Sequence, residues 1–94
     1  MPDEPALRTR AREALQRGRI PVRRPDRTWG GLGLGSSDCV ICGNRISKEE
    51  SALEIEFDRM SGPGMDRFYI HPRCFAAWEF ERTKLGRMPS SREP

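Results

Sequence analysis

Thiolates and imidazoles are the side chains that hold a soft or borderline metal, and this chain places all of them in one pattern. Its three cysteines and its single histidine form Cys39-x-x-Cys42, then residues 43–70, then His71-x-x-Cys74. Ligands spaced by two residues can reach the same ion. Three thiolates with one neutral imidazole are donors that zinc takes in closed, four-coordinate structural sites. The spacing therefore predicts one Zn2+ held by Cys39, Cys42, His71 and Cys74. The plainer alternative is a set of unliganded core thiols with a surface imidazole. A disulfide framework leaves one cysteine over, and a redox pair at Cys39 and Cys42 lacks the βαβ context such pairs need. A switch in which oxidation ejects the metal is compatible with the same residues but has no separate support. Catalytic zinc normally keeps an open position for water. Here all four positions are filled and no second histidine is present as a base. Glu54, Glu56 and Glu79 are the nearest acids, and the first two read as the solvated face of a strand. The chain is expected to be neither an enzyme nor a binder of a small-molecule substrate.

Two short ligand pairs must be brought together by the elements around them. Gly43, directly after the second cysteine, lets the backbone turn tightly so that amides face the sulfurs. In residues 52–58, Leu53, Ile55 and Phe57 alternate with acids, which is the pattern of a half-buried strand. Ser61-Gly62-Pro63-Gly64 is a turn, and Arg67-Phe68-Tyr69-Ile70 reads as the returning strand of a hairpin. His71-Pro72 opens a helix, since proline suits the first helical position. Cys74, Ala77, Trp78 and Leu85 form its apolar stripe, broadened by Phe75 and Phe80, and Gly86 and Pro89 end it. Cys74 then lies in the first turn, where the positive end of the helix favours a thiolate. Three thiolates and a divalent ion leave about one negative charge, which Arg45 or Arg73 would offset.

Upstream, Asp3-Glu4-Pro5 looks like a helix start, and Leu7, Ala11, Ala14 and Leu15 recur at helical spacing before Gly18. Residues 19–38 read as an arginine-, proline- and glycine-rich linker, although Ile20, Val22, Trp29, Leu32 and Leu34 suggest that part of it lies against the module. Gly31-Leu32-Gly33-Leu34-Gly35 has neither the spacing nor the Gly-Lys-Ser/Thr ending of a nucleotide loop, and it reads as a flexible loop. The expected fold is a small, zinc-stapled α+β domain made of an N-terminal helix, a zinc knuckle, a β-hairpin and a C-terminal helix. Its parts are an amphipathic helix in 1–18, the linker 19–38, the zinc-binding domain 39–86 and a disordered tail 87–94. Residues 39–86 are expected to fold without 1–18.

The succession of knuckle, hairpin and ligand-bearing helix in residues 39–86 resembles the treble-clef class of zinc modules. Separately, Arg-x-Pro-Asp-Arg-x-Trp-Gly-Gly, Cys-x-x-Cys-Gly and His-x-x-Cys-Phe-Ala-Ala-Trp-Glu, between Arg19 and Arg82, resemble stretches of short, functionally uncharacterised bacterial proteins. The first resemblance implies a fold and a metal, and the second implies no activity. Treble clefs serve nucleic-acid binding, protein binding and catalysis alike, so the fold does not give the function.

Composition narrows the rest. Ninety-four residues allow one domain, and with 35% hydrophobic against 33% charged residues apolar burial is limited, so a staple is expected. No apolar run approaches the ~20 residues needed to span a bilayer. No N-terminal signal pattern is evident, and the chain reads as soluble and cytoplasmic. The net charge of +3 is carried by residues 1–37, while the remainder is nearly neutral. Two partner classes follow. Arg8, Arg12, Arg19, Arg23, Arg24 and Arg27 are candidate phosphate contacts for a nucleic acid, with Trp29, Phe68 and Tyr69 as stacking groups. Alternatively, the hairpin edge and the wide apolar face of the last helix take a protein partner. The balance falls to an interaction or adaptor module, as a monomer or weak homodimer.

Overall fold

The computed structural model describes residues 4–86; the expected tail at 87–94 and the acid Asp3 lie outside them. The chain forms helix α1 (Glu4–Gln16), strands β1 (Arg27–Leu32), β2 (Ser37–Asp38), β3 (Arg45–Ile46), β4 (Ser51–Asp58) and β5 (Met65–Ile70), and helix α2 (Pro72–Gly86). It is a small α+β structure with two helices and two antiparallel sheets, ordered β1-β4-β5 and β2-β3.

Each element follows from local chemistry. Leu7, Ala11, Ala14 and Leu15 are the buried face of α1. The helix closes when the Gly18 amide donates to Leu15 O and the Arg19 amide to Ala14 O, the paired bonds of a Schellman end. Pro72 starts α2, and its first turn is satisfied as the Phe75 amide donates to His71 O at 2.8 Å. The α1 helix packs on α2, and α2 packs on β4, so a single apolar cluster runs from Leu7 and Ala14 through Trp78 to Phe57 and Ile55. Trp78 and Phe57 meet edge to face with centroids 6.2 Å apart, and Phe57 meets Phe68 in the same way at 5.8 Å.

Three features differ from the sequence reading. The stretch expected as a linker contains β1, which pairs antiparallel with β4 in the register Trp29↔Glu54 and Gly30↔Leu53. Two adjacent glycines and a largely exposed strand remove the alternation by which strands are recognised. Glu56 is not on a solvated face. It is 5% exposed, and its carboxylate takes Arg27 at 2.8 Å from one neighbouring strand and Arg67 at 3.2 Å from the other. The third is the glycine run, which belongs to the fold rather than to a free loop. Gly33 donates its amide to Glu50 O at 2.9 Å, and a Cβ there would run into Ser47 O and lie 2.6 Å from Ile46 Cγ2.

The expected helical stripe is present, with Cys74, Ala77 and Trp78 buried and Leu85 half-buried. Phe75 is half-buried, and Phe80 is exposed under Arg8, whose guanidinium lies 4.2 Å from the ring centre. Among the described residues no helix is long and apolar enough to cross a membrane.

Candidate metal centre

The short β2-β3 ribbon is the mount for the first ligand pair. Cys39 follows β2 directly, Cys42 precedes β3, and the Cys39 amide donates to Asn44 O at 2.9 Å while the Gly43 amide donates to Cys39 O at 2.9 Å. Gly43 holds φ at +79°, a left-handed value that glycine adopts without strain. The resulting knuckle turns backbone N–H groups of Ile41 and Cys42 toward the Cys39 sulfur and that of Asn44 toward the Cys42 sulfur. The second pair comes from the end of β5 and the first turn of α2. One bond ties the two mounts together, because the Val40 amide donates to Tyr69 O at 3.0 Å, two residues before His71.

The result is a cluster in which one donor atom each from Cys39, Cys42, His71 and Cys74 lies within 4.8 Å of all the others. All four residues are buried, none more than 4% exposed. His71 presents Nδ1 to the sulfurs, 3.5 Å from Cys42 Sγ. Its other nitrogen, Nε2, lies 3.3 Å from Glu50 Oε1.

The electrostatics show why a cation suits this cluster. Cys39 is held far below the ordinary thiol range, to about 4, chiefly by a hydrogen bond from the Cys74 thiol and then by backbone amides. Cys74 is pushed the other way, since it holds the proton it donates to Cys39 and is buried. Cys42 is raised by burial and by the negative charge on Cys39. Protein groups alone thus stabilise one thiolate among three sulfurs. A divalent cation at their centre would allow all three to ionise, with proton release on binding.

Positive charge arrives from an unexpected direction. Arg45 is engaged with Asp38 at 2.8 Å and with Gly35 O, so it is not turned to the cluster as the sequence suggested. Arg10 of α1 instead donates from Nη1 to the carbonyl of Cys42 at 2.9 Å. Arg10 stood out in the sequence only as one of the N-terminal arginines that could contact phosphates, and Glu50 did not stand out. The Ser47-x-x-Glu50 spacing was the available signal for Glu50. Such a spacing usually marks a helix start, and here it closes a turn before β4.

Four of the six candidate nucleic-acid arginines are engaged in ion pairs within the fold. Arg8 pairs with Glu4 and covers Phe80, Arg12 pairs with buried Glu81 at 3.1 Å, Arg23 pairs with Asp26, and Arg27 bridges Glu56 and Asp58. Arg19 and Arg24 are exposed. Of the aromatic candidates, Trp29 is exposed, whereas Phe68 and Tyr69 are half-buried. Compared with family models, curated proteins and solved structures, the chain matches none.

Proposed function

We propose that this chain is a non-enzymatic structural zinc protein that acts as a protein-interaction module. One Zn2+ is held by Cys39, Cys42, His71 and Cys74. The observation that carries the reading is the convergence of four buried donors within 4.8 Å, on two mounts far apart in sequence. Zinc fits best because three sulfurs and one imidazole are its usual closed-site set, and four protein donors leave no place for a reacting water. Knuckle, hairpin and ligand-bearing helix follow in treble-clef order, and we read the module as a relative of that class, soluble and cytoplasmic.

The protein-partner reading takes precedence over nucleic acid because four of the six candidate arginines are engaged within the fold. The surface assigned to the partner is the outer edge of β1. Trp29, Leu32 and Leu34 are 57%, 69% and 64% exposed there, beside a groove of about 150 Å³ that they line together with Leu53. Residues 28–37 carry no charge, in a chain that is one-third charged. The matching occupant is an uncharged, extended segment of a partner protein, added as a strand.

The test of the metal is mass spectrometry under native conditions, followed by chelation while the amide spectrum is recorded. One zinc per chain and collapse of the amide dispersion on chelation or in Cys42→Ser are expected, because metal binding is folding free energy in such modules. A metal-free sample that keeps a dispersed spectrum would refute the structural role.

A further inference from the structure

We propose that Glu50 is the positioning carboxylate of the metal site, fixing His71 so that Nδ1, and not Nε2, is the ligand atom. The inference rests on the metal reading above and adds the atom through which the histidine binds and the residue that selects it.

Glu50 is itself held from several directions. Its Oε1 accepts the Ser47 amide at 2.9 Å, its own amide donates to Ser47 O at 3.2 Å, and its carbonyl accepts the Gly33 amide at 2.9 Å. The carboxylate is therefore clamped within the 47–50 turn, and the turn is clamped to the end of β1. The same Oε1 lies 3.3 Å from His71 Nε2. An ionised carboxylate only accepts hydrogen bonds, so the nitrogen facing it must carry the proton. With the proton on Nε2, the lone pair on Nδ1 points toward the three sulfurs.

Glu50 does not ligate. It faces the opposite ring nitrogen and is absent from the four-donor cluster. Its contribution is to orient a buried ring and to strengthen its basicity, as outer carboxylates do for metal-bound histidines. Arg10 on the Cys42 carbonyl supplies a cation beside a site that would otherwise gather negative charge from three thiolates.

Two measurements test this on the full chain. In histidine-15N-labelled protein loaded with one equivalent of Zn2+ or 113Cd2+, long-range proton–nitrogen spectra should show Nε2 protonated. The cadmium coupling should fall on Nδ1. Binding through Nε2, with the proton on Nδ1, would overturn the proposal even if the metal binds tightly. In chelator competition, Glu50→Ala should lose about 10–100-fold in Zn2+ affinity. Glu50→Gln, whose amide oxygen still accepts from Nε2, should recover part of that loss. Unchanged affinity in Glu50→Ala would remove Glu50 from the site while leaving the four ligands intact. A parent chain that takes up no ion would overturn this proposal and the metal reading together.

Discussion

Replacing Leu7 with alanine tests whether the first helix belongs to the folding unit or is attached to it. Leu7 is 1% exposed and continues into a cluster that includes Ala77 and Trp78 of α2. Leucine-to-alanine changes at such sites cost about 3–5 kcal/mol, from lost transfer energy and the cavity left behind. A chain of this length is stabilised by roughly 5–14 kcal/mol, so the change would remove about a fifth or more of the total. For a domain of this size, about 3 kcal/mol lowers Tm by about 12–24 °C. The assay is thermal unfolding at fixed excess Zn2+, followed by helix circular dichroism and by tryptophan fluorescence, to which buried Trp78 of α2 contributes. Both signals are expected to fall together at the lower midpoint. The reasoning is refuted if part of the helix signal melts early while the fluorescence keeps the parent midpoint. That result would support the expectation that residues 39–86 stand without 1–18.

Two further predictions concern the sheet. The Asp26 carboxylate lies below its usual range because it accepts the Asp58 amide at 2.7 Å and then Arg23, and Glu56 is lowered chiefly by Arg27. A carboxylate lowered on folding stabilises above its unfolded pKa of about 4, and that contribution is lost as pH falls through the folded value. The difference in Tm between parent and Asp26→Asn should therefore be the same at pH 7.5 and 5.5; a difference that shrinks across that window would contradict the assignment. Gly33→Ala would drive a methyl group into Ser47 O and Ile46 and should cost about 1–3 kcal/mol in guanidinium unfolding. A change below 0.5 kcal/mol, roughly the level of an ordinary surface substitution, would show that the 47–50 turn yields freely.

The candidate ligands were legible because metal chemistry limits both residue type and spacing, and Cys39, Cys42, His71 and Cys74 exhaust the cysteines and histidine of the chain. Helices α1 and α2 were legible through apolar periodicity, since each has one wet face. Strand β1 was not, because its partner on β4 is remote in sequence and its glycines carry no side-chain pattern. The fate of Glu56 was hidden for a related reason. Alternation marks a residue as facing away from the core, but only the neighbouring strands decide whether arginines will enclose it. Glu50 and Arg10 act through tertiary contacts of a single oxygen or nitrogen, and local spacing carries no record of those.

The pairing of β1 with β4 has a consequence for fidelity of assembly. Arg27 faces Glu56, but β4 repeats an acid at every second position, Glu54, Glu56 and Asp58, while glycines recur at 31, 33 and 35. A slip of two residues would set Arg27 opposite Glu54 or Asp58 and bring Gly31 or Gly35 to the crowded place of Gly33. Both strands would keep their faces, and neither charge nor steric fit would penalise the error strongly. What separates the three registers lies outside the strand: β1 leads by way of residues 33–38 to Cys39, which is clustered with the three other candidate ligands. A metal bound there would serve as a further ruler for this edge strand, beside the Asp58 amide on Asp26 and the Gly33 amide on Glu50 O, and a chain that closed its sheet before taking up the ion would have to unzip β1 to correct a misalignment.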